Sequence, residues 1–357
     1  MRALRYYGHK DIRLDEVPEP QCRPGYVKIR PSYVGICGSD IHLYFDEDVA
    51  MKPDYIHPLA GEPMPIIFGH EFGGVVTEIG DDVTRARVGD VVAIRPSLYD
   101  GTCEACVEGI SNVCQHWGWL GIHANGGLAE FAVVDQKLAF PIPQGIQPEV
   151  SALVEPLAVA WHATTLAKGL DAKSTVFIAG GGPIGCAVFM ALKAQGLQNI
   201  VMSEISEARR DQLKEFGAKL VYDPVDVDVT VKVKDLTNGW GAHAAFDCAG
   251  LQVTLDTCLA ALRPRGTIVN VAIRGKPVTT NLNDYIWKEA TLVSSNAYVE
   301  EDWENVITAL GNGSLTPGAM VTRKIALPDL VEKGIKMLAQ PGQKDCKILV
   351  DVQGASS

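Results

Sequence analysis

Residues 175–192 carry no charged side chain and are long enough to imitate a membrane span, but Gly180, Gly181, Gly182, Pro183 and Gly185 interrupt the run in its middle. The interruption turns the stretch into an apolar strand, a glycine turn and a helix. Gly180-Gly181-Gly182-Pro183-Ile184-Gly185 is then a G-x-G-x-x-G, and Glu204 stands 19 residues beyond Gly185 at the end of the next apolar run. Glycines here permit a tight turn and close backbone approach to a pyrophosphate, which sits on the positive N-terminus of the helix. Gly180, Gly182, Pro183, Ile184 and Gly185 are therefore candidate dinucleotide contacts. Glu204 is the candidate acceptor for the adenine-ribose hydroxyls, and its charge would repel a 2′-phosphate, which favours NAD. The competing reading is a glycine turn in an α/β fold that binds no nucleotide. The preceding strand, the following helix and the spacing of the carboxylate favour the dinucleotide.

On either side of this turn the rhythm differs. Short β-branched runs at 26–29, 74–79, 90–94 and 129–134 are separated by Gly, Pro and Asp, a mostly β pattern. From about residue 151, strands at 174–179, 200–203, 244–247 and 266–271 alternate with helices at 184–195, 207–216 and 254–262. That alternation predicts βαβ units and a parallel sheet covered on both faces. At about 150 residues per domain, a chain of 357 divides into two. The stretch from Leu292, with a helix at 303–310 and a strand at 347–352, fits either domain on pattern alone.

Charge and termini narrow the class. A net charge of −11 without any compensating run of Lys or Arg argues against a nucleic-acid partner. Residues 1–8 hold no apolar signal core and the C-terminal Gly-Ala-Ser-Ser no lipid or targeting signal, so the expectation is a cytoplasmic protein with no membrane association. Nine cysteines, an odd number spread along the chain, argue against a disulfide framework.

Cys103-x2-Cys106-x7-Cys114 is instead a metal spacing, one ligand short of the four that zinc prefers. Asp100, three residues before Cys103, is a chemically allowed fourth; the competing reading is a loop of ordinary thiols. A second, scattered set comprises Cys37 in GICGSDIH, His70 and Glu71 in GHEFGGVV, and Glu155 in EPLAVAWHA. Two other motifs fail. Gly74 stands where a metalloprotease H-E-x-x-H needs its second histidine, and the Asp226/Asp228 region lacks the glycine and final glutamate of a calcium loop.

GICGSDIH, GHEFGGVV, VGDVV at 88–92, the cysteine lobe, EPLAVAWHA and GGGPIG occur in an order that resembles the zinc-dependent medium-chain dehydrogenases/reductases over nearly the whole chain. The segment 57–62, His-Pro-Leu-Ala-Gly-Glu, and Ser203-Glu204 place it nearest the (R,R)-2,3-butanediol and sorbitol (polyol) branches. The resemblance implies an α/β protein: a GroES-like, mostly β catalytic domain at 1–153 and 291–357, and a Rossmann, doubly wound parallel-sheet cofactor domain at 154–290. It implies a catalytic zinc on Cys37, His70 and Glu155, with Glu71 as an alternating or outer ligand, and a structural zinc on Asp100, Cys103, Cys106 and Cys114. In that lobe Asp100 departs from the family's cysteine. Ser39 and His42 match a proton relay, Arg209 a basic residue on the adenosine side, and Cys248, Val271, Ala272 and Ile273 the nicotinamide lining. The implied activity is NAD-dependent oxidation of a secondary alcohol or vicinal diol to the ketone and its reverse, foremost 2,3-butanediol/acetoin. A sorbitol or xylitol dehydrogenase comes next, then a threonine dehydrogenase. A non-catalytic dinucleotide-binding protein would show broken zinc or relay positions. A homodimer or homotetramer is the implied assembly.

Overall fold

The computed structural model describes residues 1–52, 54–340 and 342–354; Ala355–Ser357, the last three residues of the C-terminal Gly-Ala-Ser-Ser, lie outside the described residues. The chain divides into two units, Met1–Glu155 with Val321–Ser357, and Pro156–Met320.

In the first unit, β1 (Arg2–Gly8), β2 (Asp11–Glu16) and the short β4 (Ile66–Ile67) form a three-stranded sheet around β1. The larger sheet is built on β3 (Tyr26–Gly35) and β5 (Glu71–Ile79), antiparallel partners flanked by β6 (Val91–Ile94), β9 (Ala132–Asp135) and β10 (Ala139–Pro141). Val27, Ile29 and Val34 of β3 and Phe72 and Val76 of β5 enter one core with Tyr6, Phe68 and Ile94, all at most 1% exposed. Each such side chain contributes roughly 1.5–3 kcal/mol relative to exposure. Between β3 and β5 lies α1 (Gly38–Phe45), and the hairpin β7 (Ser97–Leu98)/β8 (Gly118–Trp119) brackets the cysteine lobe with its single turn α2 (Glu104–Val107).

The second unit starts within α3 (Val154–Leu166) and continues through β11 (Thr175–Ala179), α4 (Pro183–Ala194), β12 (Asn199–Ser203), α5 (Glu207–Glu215), β13 (Leu220–Tyr222), α6 (Val229–Leu236), β14 (Ala242–Asp247), α7 (Gln252–Ala261), β15 (Leu262–Asn270), α8 (Leu282–Ile286), β16 (Thr291–Ser294) and α9 (Glu300–Gly311). Its six strands pair in parallel in the order β13-β12-β11-β14-β15-β16, with the reversal of strand order between β11 and β14. This is the doubly wound arrangement, and its ligand crevice lies at the carboxyl ends of the strands beside that reversal. The fully buried β11 reads as a continuous apolar run because both faces are covered.

The expected boundary at 290/291 is corrected to 320/321. Thr291 pairs in parallel with Thr267 and Ser294 with Asn270, so β16 is the sixth strand of this sheet, and α9 buries Trp303, Val306 and Leu310 in the same unit. The pattern could not decide this, because a strand followed by a helix suits either unit. The chain then returns to the first unit with β17 (Val321–Ala326) and β18 (Lys347–Asp351), which extend the larger sheet beyond β3.

The Asp226/Asp228 region has a structural use: the Asp228 carboxylate accepts hydrogen bonds from Thr230 N (2.9 Å) and Val231 N (3.4 Å), capping α6. Asp228→Ala is therefore expected to lower the urea midpoint of unfolding with no change in the slope of the transition.

Candidate functional site

Pairing of β3 with β5 sets Gly35 opposite Glu71, so Cys37, two residues on, comes beside His70. The ligand atoms of Cys37, His70 and Glu71 lie within 4.8 Å of one another, and His70 and Glu71 are buried. Glycine is required at 35, since a Cβ there would stand 2.0 Å from a Glu71 carboxylate oxygen. On the other side of β3, Leu349 pairs with Gly35, which brings Lys347 to the same place. The Lys347 ammonium donates to both Glu71 oxygens at 2.7 Å and to Ile36 O at 3.2 Å. Burial opposes the Lys347 charge, but Glu71 first, then Cys37 and Glu155, hold its pKa above the usual value.

Asp40, in the first turn of α1, uses one oxygen to accept from Cys37 N at 2.9 Å, while the other faces His70 Nδ1 at 3.4 Å. Burial opposes a charge on His70, yet Asp40 and then Cys37 raise its pKa. With Nδ1 toward a carboxylate, Nε2 is the free coordinating atom, and Ser39 Oγ lies 3.5 Å from it. A thiol, an imidazole and a carboxylate, the imidazole backed by Asp40, match the donor types and outer support of a zinc site. Glu155, in the first turn of α3, is 4% exposed, and its charge acts on Lys347. It is not among the donors gathered within 4.8 Å, where Glu71 stands instead. His42, at the last turn of α1, is 42% exposed and bonded to Asp46 at 2.7 Å, directed to solvent.

The lobe brings ligand atoms of Asp100, Cys103, Cys106 and Cys114 within 4.8 Å of one another. Cys114 Sγ accepts from the backbone N–H groups of Asp100 (3.4 Å) and His116 (3.3 Å), and lies 3.8 Å from Cys103 Sγ. Three thiols and a carboxylate fit a zinc donor set.

In the second unit the glycine turn forms as anticipated: Gly180 has φ +100°, and a Cβ at Gly185 would stand 2.0 Å from Gly180 O. Pro183 opens α4, where its missing N–H costs nothing, and Ile184 follows in the same turn. The Glu204 carboxylate accepts from Gly181 N on one oxygen and Ser206 N on the other, both at 2.8 Å, so it is locked against the turn. Arg209 lies by Gly182, while Arg210 is tied to Asp223 at 2.8 Å and to two carbonyls. At the neighbouring strand ends, Asp247 accepts from Gly250 N (3.0 Å), Ala249 N (3.2 Å) and Thr254 Oγ1 (2.9 Å) and pairs with Arg274. Its carbonyl accepts from Val271 and Ala272. Burial pushes the Cys248 thiol up, and Ile273 is 79% exposed.

Sequence reasoning missed Lys347, Asp40, His116 and Arg274 as parts of these sites. A signal existed for Lys347: a charge inside the fully buried strand Lys-Ile-Leu-Val-Asp demands a partner. Lys347→Met, which leaves Glu71 buried and unpaired, is expected to cost roughly 3–5 kcal/mol in urea unfolding, and Glu71→Gln in that background to recover part of it.

Comparison with known proteins agrees with this architecture. Residues 23–144 match the alcohol dehydrogenase GroES-like domain, and 183–312 match the zinc-binding dehydrogenase domain. The chain is 33% identical to an (R,R)-butanediol dehydrogenase of Neisseria gonorrhoeae, over 98% of this chain and 99% of that protein. It is 35% identical to one of Saccharomyces cerevisiae, over 98% of each. The crystal structure of 2R,3R-butanediol dehydrogenase from Bacillus subtilis superposes with a TM-score of 0.90 at 35% identity, covering 98% of this chain and 99% of that one. A GroES-like β unit, a glycine turn on a doubly wound sheet and likeness over the full length of these relatives lead to one conclusion: the chain belongs to the zinc-binding, medium-chain family of alcohol dehydrogenases.

Proposed function

We propose that the chain is an NAD- and zinc-dependent secondary-alcohol dehydrogenase that interconverts vicinal diols and α-hydroxyketones, foremost (R,R)-2,3-butanediol and acetoin. The observation that carries this reading is the Cys37–His70–Glu71 cluster with the Ser39 hydroxyl 3.5 Å from His70 Nε2. Cys37, His70 and Glu155 would hold the catalytic zinc, and Glu71, already neutralised by Lys347, is the alternate donor. When bound, zinc supplies the Lewis acidity that makes an alcohol oxygen acidic near neutral pH, and the dinucleotide accepts the hydride. The rest falls to the chain. The Asp40 carboxylate, 3.4 Å from His70 Nδ1, leaves Nε2 as the ring nitrogen for the reacting side. Ser39 would accept the alcohol proton on Oγ while giving up its own hydroxyl proton, and His42, paired with Asp46 at the exposed end of α1, would release a proton to water.

Glu204 supports NAD. Its two oxygens are oriented by Gly181 N–H and Ser206 N–H, and each keeps a lone pair for a ribose hydroxyl, while a 2′-phosphate would meet a fixed negative charge. Arg210 is occupied by Asp223 and carbonyls, so Arg209 is the cation left to face the adenosine end.

Initial rates with NAD and NADP over the butanediol stereoisomers, sorbitol, xylitol and threonine test the reading. The highest kcat/KM is expected for (R,R)-2,3-butanediol with NAD; a preference for a polyol or threonine would move the chain to another branch. Glu204→Ser is expected to shift the NAD/NADP ratio of kcat/KM by more than about tenfold toward NADP, equivalent to about 1.4 kcal/mol. His42→Ala should cost less than loss of a metal donor and recover as pH rises, because water replaces the outer end of the relay.

A further inference from the structure

The lobe's fourth donor differs chemically from the other three. A cysteine sulfur has one position once its rotamer is set, whereas an aspartate can swing its carboxylate about a soft terminal torsion. In this chain that torsion is held from both sides. Asp100 Oδ1 accepts from Thr102 N at 2.7 Å and Cys103 N at 2.8 Å, and Oδ2 accepts from His116 Nδ1 at 2.9 Å. The Asp100 side chain is 9% exposed, that of His116 45%. Carboxylate oxygens only accept, so in this contact His116 Nδ1 is the donor and its proton lies between the ring and Oδ2.

We propose that His116 is the positioning residue of the lobe: its Nδ1–H fixes the Asp100 carboxylate so that one oxygen completes, with Cys103, Cys106 and Cys114, a site for a zinc-class divalent cation. The proposal rests on reading the lobe as a metal site. Three thiolates and a carboxylate place four negative charges around a doubly charged ion. Hydrogen bonds to the donors disperse that excess, and the structure supplies them: two backbone N–H groups on Cys114 Sγ, two on Asp100 Oδ1, and the imidazole on Oδ2. Thr102 Oγ1 adds a longer bond to Oδ1 at 3.3 Å, and the imidazole is the side chain that holds Oδ2.

The test uses the purified holoenzyme and reads zinc rather than turnover: metal content by mass spectrometry, and the rate at which a chromophoric chelator strips each ion. Wild type is expected to hold two zinc ions per chain. His116→Ala should lose one of them about 10–100-fold faster, the range for removing an outer-shell partner. His116→Asn, whose amide N–H can still donate, should fall between the two. The decisive arm is Asp100→Cys, which replaces the carboxylate by sulfur: adding His116→Ala to it should change the stripping rate no further. Wild-type kinetics in His116→Ala would overturn the proposal while leaving the lobe a zinc site. Equal acceleration with and without Asp100→Cys would also overturn it, by showing that His116 acts on the loop rather than on the carboxylate. One ion per chain in wild type, unchanged by Asp100→Ala, would instead remove the metal reading of the lobe itself.

Discussion

A lysine and a glutamate buried to 3% and 1% side-chain exposure, Lys347 and Glu71, are the constraint around which the first unit is arranged. Two charges taken from water are tolerated only when each satisfies the other in good geometry. Here the ammonium reaches both carboxylate oxygens and a main-chain carbonyl. That geometry requires three strands in register: β5 carrying Glu71, β3 with a glycine at 35 to leave room for the carboxylate, and β18 carrying Lys347. The same register sets Cys37 and His70 side by side. The C-terminal strand is thus part of the proposed metal site, although no residue of it would touch the ion. In the proposed site it would also give Glu71 two competing uses, as the lysine's counter-ion or as a donor, and would leave Glu155 to balance a bound cation.

The second unit solves an electrostatic problem of the opposite kind. In the proposed cofactor site the backbone N–H groups at the start of α4 would face an anionic pyrophosphate, and next to them stands one carboxylate, Glu204, whose oxygens are aimed by two further N–H groups. Asp247 does for the adjoining turns what Glu204 does for the first. It gathers Ala249, Gly250, Thr254 and Arg274, so the loops at the ends of β14 and β15 hold one conformation.

Legibility followed sequence distance. The glycine turn, its strand, its helix and Glu204 lie within one βαβ unit, and the lobe cysteines within one loop, so spacing alone revealed them. Cys37, His70 and Glu155 became a set only through likeness to a family, because nothing local joins residues so far apart. The pairings Lys347–Glu71 and Arg274–Asp247 were hidden for the same reason: a lysine in an apolar strand signals that a partner is needed, but not which distant residue supplies it. His116 was missed although it lies two residues from Cys114, since an imidazole that bonds to a donor leaves no spacing signature. The assignment of 291–320 failed where pattern is symmetric: a short strand with exposed residues, followed by an amphipathic helix, extends either sheet until the pairing of Thr291 with Thr267 is known.

The central claim is that activation of the alcohol and binding of the dinucleotide reside in different units and are separately removable. Cys37→Ala tests this most directly, with turnover measured beside NADH affinity by fluorescence. The account predicts turnover lowered by more than about a hundredfold, beyond the usual effect of an outer-shell loss, with NADH affinity unchanged. Near-normal turnover, or an equal loss of both, would contradict it.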